Sequence, residues 1–317
     1  MKLPILIEQM PFDVYLDDPA PEPSLTSSLV RRLLETAPRK VWRETRRLNP
    51  NAETATSSIF DLGTAAHALF TGEGNKIAEI PFNDYRTKDA QAARDAAYAA
   101  GKTPVLSKDI ARVDAMACEA LDQFSKNEDI GPLLPTSARE ASIFWNEAGV
   151  MHRARPDFYH GPSNTIIHYK TTGVEIRPAT LAKYAASSGW DMIAAHYDAA
   201  GFALTGSAPR QFFAVQETSP PHLCLVAELD EVFIGEARAR RKRAIEIWAR
   251  CLRTNTWPGN IGKTIMLECP EWHERNLIAD KDAEQAAKAN GADMMDLAID
   301  WQAPEGWQSA RKNEVIE

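Results

Sequence analysis

Cysteine and long hydrophobic runs are both scarce in this chain of 317 residues. Its four cysteines, at positions 118, 224, 251 and 269, are scattered and form no C-x2-C pair. This spacing excludes the disulfide framework of a small secreted domain and disfavours a zinc or iron–sulfur site, whose ligands usually come in short-spaced pairs. No apolar stretch approaches the roughly 18 residues that a membrane-spanning helix needs. We therefore expect a protein of a reduced compartment without a membrane span.

The N-terminal residues also lack the order of a secretory signal. Their apolar stretch is interrupted by Pro4 and Glu8 instead of following a basic segment. The expected location is therefore the cytoplasm. Hydrophobic residues make up 44% and charged residues 25% of the chain, as in an average soluble globular protein. The length suffices for one large domain or two small ones with a substantial core.

The net charge of -8 is unevenly distributed along the chain. Residues 268–317 contain twelve acidic and five basic residues, so they carry seven of the eight excess negative charges. The remainder is nearly neutral and includes two basic stretches, which favour binding to a polyanion but are equally typical of solvated helix faces. The stretches consist of Arg31, Arg32, Arg39, Lys40, Arg43, Arg46 and Arg47, and of Arg238, Arg240, Arg241, Lys242, Arg243, Arg250 and Arg253.

The periodicity of apolar residues changes from helical to strand-like near Pro135, so the N-terminal half is predicted to be largely helical. We predict an irregular lead-in over 1–23, a domain over 24–260 and an acidic C-terminal extension over 261–317. Within the domain, we expect helices near 27–34, 57–71, 90–100 and 107–124, a three-stranded meander over 141–145, 150–155 and 165–169, a helical stretch from 178 to 204, strands at 211–216 and 222–229, and a helix from Asp230 to about 253.

Two short motifs on adjacent predicted strands carry the most chemical information. The first is Arg155-Pro156-Asp157, and the second is His168-Tyr169-Lys170. A turn between antiparallel strands brings such segments together, and residues 168 and 170 share a face because side chains alternate along a strand. A carboxylate, an imidazole and an ammonium group gathered at one sheet edge can bind a divalent metal and activate water.

At these motifs the sequence resembles the PD-(D/E)xK nucleases, and more closely their RecB-like and exodeoxyribonuclease VIII (RecE-like) branch, which includes phage proteins. Asp157 stands in the "PD", and Lys170 stands at the motif lysine. The similarity also covers Thr171-Thr172 after the lysine, Gly63-Thr64-Ala65-Ala66-His67 as the histidine-bearing helix, Glu140 before the first strand, and Tyr197 as the tyrosine of a Q-x3-Y helix.

The resemblance implies a fold, a reaction and partners. The expected fold is α/β, a restriction-endonuclease-like core with a mixed central sheet flanked by helices. The expected activity is that of a metal-dependent exonuclease that hydrolyses linear double-stranded DNA, with Mg²⁺ or Mn²⁺ as cofactor. The branch also implies a single-strand annealing protein as partner, homo-oligomers, and a phage origin within a bacterial cytoplasm.

The same resemblance assigns roles to individual residues. Catalysis is assigned to Lys170, Asp157 and Glu140. Metal binding is assigned to His67, Asp157, His168 and Glu140, and substrate binding to Tyr197, Thr171, Thr172 and Arg155.

Two positions depart from the family pattern. His168 replaces the motif acid, and Ile193 replaces the glutamine of Q-x3-Y. The loss of a carboxylate removes negative charge from a cation site, and an imidazole shifts the preference from Mg²⁺ towards Mn²⁺. The sequence therefore leaves open an alternative function, that of a catalytically weakened nuclease homologue acting as a DNA-binding or assembly module.

Overall fold

The structure is a computed structural model that describes residues 3–52, 61–73, 76–260, 262 and 264–291. The chain divides into two compact units, Met1–Asn260 and Ile261–Glu317. In the second unit, the described residues include one helix, α10 (Glu271–Ala289). Of the helix predicted over 57–71, residues 57–60 lie outside the described ranges. Among the described residues, no helix combines the length and the apolar content needed to cross a membrane.

The predicted irregular lead-in contains two short elements in the structure. These are β1 (Ile5–Ile7) and α1 (Phe12–Leu16). The apolar side chains of β1 and of Tyr15 pack around Phe144, and β1 pairs with the strand that carries Phe144. A three-residue strand stabilised by a distant partner gives little periodic signal in the sequence. The tertiary contact, rather than local propensity, therefore orders this segment.

Local capping defines the helices that carry the two basic stretches. α2 (Ser27–Glu35) begins after Thr26, whose side chain accepts a hydrogen bond from the Leu29 amide. α3 (Pro38–Glu44) begins with a proline, which lacks the amide hydrogen that a first helical turn leaves unpaired. α9 (Glu231–Thr254) is capped by Asp230, as the sequence predicts. These helices pack together around buried Trp248.

A second group of elements precedes the sheets and carries one of the candidate metal ligands. α4 (Asp61–Thr71) packs on α6 (Ser107–Ser125), and α5 (Lys88–Ala99) lies between two short strands in the chain. These strands, β3 (Ile77–Ile80) and β4 (Thr103–Leu106), pair in parallel.

Two larger sheets form the centre of the first unit. Their elements and the neighbouring helices are β2 Ser24–Leu25, β5 Ala138–Arg139, β6 Ser142–Glu147, β7 Val150–Ala154, β8 Phe158–His160, β9 Thr165–Thr172, α7 Pro178–Ser188, α8 Trp190–Thr205, β10 Arg210–Glu217 and β11 Cys224–Ala227. One has the order β1-β6-β7-β2 and the other the order β11-β10-β9-β8-β5; the second contains both parallel and antiparallel pairs. Helices α4, α6, α7 and α8 flank the strands, which confirms the predicted α/β fold with a mixed central sheet.

The predicted three-stranded meander is interrupted in the structure. β7 ends at Ala154, and a separate strand, β8, pairs with β9. Pro156 has no amide hydrogen for a strand ladder, and the backbone of the following residue, Asp157, accepts a hydrogen bond from Glu140 instead. The chain passes between the two sheets at Glu140, between β5 and β6, and again at Asp157, between β7 and β8. Both acidic residues therefore lie at the same junction.

Candidate active site

Three potential metal ligands converge where α4 meets this junction. The ligand atoms of His67, Glu140 and Asp157 all lie within 4.8 Å of one another. His67 Nε2 is 3.1 Å from Asp157 Oδ1 and 3.6 Å from Glu140 Oε1. The amino group of Lys170 is 3.5 Å from Asp157 Oδ2. The structure thus places these four sequence-predicted residues together, and we call the first three the carboxylate–histidine cluster.

The backbone at the sheet junction fixes both carboxylates. The Glu140 amide donates to the Asp157 carbonyl oxygen at 3.1 Å, and the Tyr169 amide donates to Asp157 Oδ2 at 2.6 Å. Glu140 has a φ of 49°, in the left-handed region that a side chain with a β-carbon rarely occupies. Residues held in such conformations concentrate at functional sites, where surrounding contacts compensate a cost of roughly 1–3 kcal/mol.

A close helix–strand contact positions His67. Gly63 lies one turn before His67 on α4, and a β-carbon at Gly63 would stand 2.5 Å from Thr171 Oγ1 on β9. Only the absence of a side chain lets α4 approach the strand so closely. This positioning role of Gly63 was not predicted from the sequence, in which the only signal was its place in the Gly63–His67 motif.

Arg155 and Tyr197, both predicted to bind substrate, line the cavity beside the cluster and also hold the cluster in place. Arg155 Nε donates to Glu140 Oε2 at 2.8 Å, and its Nη1 donates to the Met10 carbonyl and to Ser142 Oγ. The Tyr197 hydroxyl donates to the Arg155 carbonyl at 2.9 Å and accepts from the Arg155 amide at 3.3 Å. These contacts make both residues positioning residues for the cluster, and their predicted role in substrate binding stays a prediction.

The electrostatics of the site shift the pKa values of its two carboxyl groups in opposite directions. Burial opposes ionisation of Asp157, but the charges of Lys170 and His67 outweigh it and hold the pKa of that carboxyl below its usual range. Burial and the charge of Asp157 raise the pKa of Glu140 despite the contact with Arg155. Burial alone would lower the pKa of His67, but the two carboxylates raise it above its ordinary value. The carboxylate–histidine cluster is therefore arranged to hold positive charge.

His168, predicted to be a metal ligand, lies outside the cluster. Its side chain is buried; Nε2 lies 3.0 Å from Gln211 Oε1, and the ring stacks on Phe213 with centroids 4.8 Å apart. The alternation of β9 places His168 on the same face as Lys170, but two residues earlier in the strand, where the side chain is buried in the core. Burial and the charge of Lys170 lower its pKa to about 4, so the imidazole is neutral.

Two adjoining cavities meet at His67 and Thr64. The first, of about 630 Å³, is lined by Glu140, Asp157 and residues that precede α4 in the chain; the second, of about 610 Å³, is lined by Lys170 and residues 171–173. Thr171 and Thr172 therefore border the second cavity, as substrate contacts would. The hydroxyl of Thr172 accepts a hydrogen bond from the Val174 amide. Ile193, at the position of the family's glutamine, packs among apolar side chains.

The donor set suits a divalent cation. One imidazole nitrogen and two carboxylates are ligands accepted by Mn²⁺ and by other borderline metals, and carboxylates also suit Mg²⁺. Lys170 lies at the edge of the set, where its charge can act on a bound anion.

Comparisons with known proteins identify a family for the chain and a solved structure of similar fold. A family model described as a PDDEXK-like domain of unknown function (DUF3799) matches residues 27–269. The fold is similar to a crystal structure from Eubacterium rectale, provisionally assigned as an exonuclease, with a TM-score of 0.55 and 12% identity, covering 82% of this chain and 96% of that one. No curated protein matches the sequence. PDDEXK nucleases generally use divalent metals, in keeping with the cluster. The chain belongs to the PDDEXK-like family DUF3799.

Proposed function

We propose that the protein is a metal-dependent nuclease that hydrolyses phosphodiester bonds of linear double-stranded DNA, working from an end. The observation that carries this proposal is the carboxylate–histidine cluster, with Lys170 beside it and a cavity on either side. A phosphodiester placed across His67 would extend into both cavities. The family and the fold of the exonuclease-assigned structure support a nuclease.

Each residue of the site has a distinct role in this proposal. His67, Glu140 and Asp157 would hold Mn²⁺ or Mg²⁺. When bound there, a divalent cation supplies positive charge that polarises the phosphate and promotes attack by water. Lys170 adds positive charge that stabilises the negative charge developing on the phosphate oxygens. Arg155 holds Glu140, and the Tyr169 amide holds Asp157, so that neither carboxylate has to reorient.

The finer assignment to the exodeoxyribonuclease VIII branch is also part of the proposal. It is supported by Thr171 and Thr172 after the lysine and by Tyr197 on α8. The branch would bring a single-strand annealing protein, a homo-oligomer and a phage setting in the bacterial cytoplasm.

One observation favours the alternative, a DNA-binding or assembly module with weak catalysis. The position of the motif acid is occupied by His168, which is engaged with Gln211 inside the core. Among the residues that the structure describes, the cluster therefore holds two carboxylates, those of Glu140 and Asp157, and no third one. A module of this kind would bind DNA and metal but release nucleotides only slowly or not at all.

The test is to incubate the protein with linear duplex DNA and, separately, with covalently closed circular DNA, in Mg²⁺ or in Mn²⁺. The proposal predicts nucleotide release from the linear form, faster in Mn²⁺, and none from the circle. Asp157→Asn should abolish release, whereas the matched control Asp95→Asn, at an exposed position on α5, should not. Binding of DNA without release, in either metal, would favour the alternative.

A further inference from the structure

The two basic stretches of the sequence, almost 200 residues apart, lie on helices that contact each other. α3 carries part of the first stretch and contacts α9, which carries the second. The Arg39 amide donates to the Pro258 carbonyl at 3.1 Å, just beyond the C-terminal end of α9. The fold therefore brings the two basic stretches together.

Only part of this positive charge is neutralised within the protein. Arg32 is paired with Glu44, Arg240 with Asp191 and Arg241 with Glu147. A second set is exposed and forms no ion pair among the described residues. It consists of Arg39, Lys40 and Arg43 on α3 and of Arg250 and Arg253 near the end of α9, and we call this set the α3–α9 basic face.

The basic face continues into the cavity of the candidate active site. α3 ends at Glu44, and residues 44–47 line the same cavity as His67 and Asp157. Arg47 is exposed there and donates to the Ala20 carbonyl. Residues 44–47 therefore connect the exposed surface of α3 to the cavity of the cluster, and Arg47 adds positive charge at this connection.

We propose that the α3–α9 basic face binds the phosphate backbone of duplex DNA whose end enters this cavity. The inference rests on the proposed function and adds the surface that holds the substrate. Each DNA strand carries a phosphate about every 3.4 Å along the duplex axis, so the roughly 10 Å rise of the seven-residue α3 spans about three phosphates. Arg39, Lys40 and Arg43 match that number.

The test neutralises α3 with Arg39→Gln, Lys40→Gln and Arg43→Gln together. The control triple is Lys88→Gln, Lys102→Gln and Lys108→Gln, which changes charge equally at exposed residues that line neither cavity. Binding to a blunt duplex is measured without divalent metal over a salt series. We expect the first triple to reduce the slope of log Kd against log salt by about 2–3 and the control to leave it unchanged.

Two further measurements, hydrolysis of a small phosphodiester and binding to anionic vesicles, distinguish failure of this inference from failure of the proposed function. Hydrolysis of bis(p-nitrophenyl) phosphate, which is too small to reach α3, should be equal in the wild type and in both triples. An unchanged salt slope in the α3 triple, with folding intact by circular dichroism, would overturn the inference whether or not the small ester is hydrolysed. A defect limited to binding of anionic phosphatidylserine vesicles would also overturn it. Failure of the wild type to hydrolyse either substrate would refute the proposed function alone, because binding is measured separately.

Discussion

Replacement of Gly63 by alanine probes how the metal site is positioned. The added β-carbon would lie 2.5 Å from Thr171 Oγ1, whereas ordinary van der Waals contact begins near 3.4 Å. α4 must therefore move away from β9 by about 0.9 Å, or Thr171 must rotate. His67 is one turn farther along the same helix, and metal–ligand distances tolerate only about 0.2 Å. We expect Mn²⁺ affinity to fall by roughly 10–100-fold.

The free energy of unfolding is a weaker indicator than metal affinity for this variant. Overpacking costs about 1–3 kcal/mol, but alanine gains about 1 kcal/mol over glycine inside a helix. The two effects partly cancel, so the net destabilisation should be no more than about 2 kcal/mol. Isothermal titration with Mn²⁺ is therefore the appropriate assay.

A second substitution tests the steric cause directly. Thr171→Ala removes the Oγ1 atom and leaves Cβ of residue 171 at 3.7 Å from the new β-carbon, an ordinary contact. The double variant Gly63→Ala/Thr171→Ala should recover most of the lost affinity. Gly235→Ala in α9, whose β-carbon would meet nothing closer than 3.9 Å, is the matched control. Wild-type affinity in Gly63→Ala, or no recovery in the double variant, would refute the reasoning.

Three further predictions concern Arg155, His67 and His152. Arg155→Met should weaken Mn²⁺ binding by about tenfold, since Glu140 loses its partner at 2.8 Å; equal affinity by titration would show that Arg155 does not position it. Mn²⁺ binding requires a deprotonated His67, whose raised pKa should make the affinity begin to fall at a pH above that of an ordinary histidine; a titration series between pH 5 and 8 measures this. Burial, and to a lesser extent the charge of Arg241, lowers the pKa of His152 from 6.5 to about 3. Its contribution to the free energy of unfolding is therefore full above pH 6.5 and decreases by about 1.4 kcal/mol per pH unit on acidification. His152→Phe should flatten the pH dependence of stability, measured by urea denaturation between pH 6.5 and 4.5, and an unchanged slope would contradict this.

The sequence predicts those features of the site that follow from local periodicity. Alternation along β9 places Lys170 on a defined face, and the short connection from Asp157 makes their approach predictable. The position of His67, ninety residues before Asp157, follows only from resemblance to a family, because no local pattern reports contacts over that separation. The α/β fold is predicted from the same combination of periodicity and resemblance, and the structure confirms it.

The remaining features depend on tertiary contacts that a single sequence does not encode locally. Alternation puts His168 and Lys170 on one face but does not show that His168 lies deeper, against Phe213. A charged Arg155 beside a motif aspartate suggests a substrate contact, but the sequence does not show that its guanidinium group also pairs with Glu140. The break between β7 and β8 is signalled by Pro156, although its consequence, a change of sheet, is visible only in the structure.

The central claim is that His67, Glu140 and Asp157 bind one divalent metal in a nuclease site. The most direct measurement is anomalous X-ray diffraction at the manganese edge from crystals of the protein grown with Mn²⁺. The account predicts one anomalous peak within about 2.5 Å of His67 Nε2, Asp157 Oδ1 and a Glu140 oxygen. No peak at the cluster, or the same peak in crystals of Asp157→Asn, would contradict it.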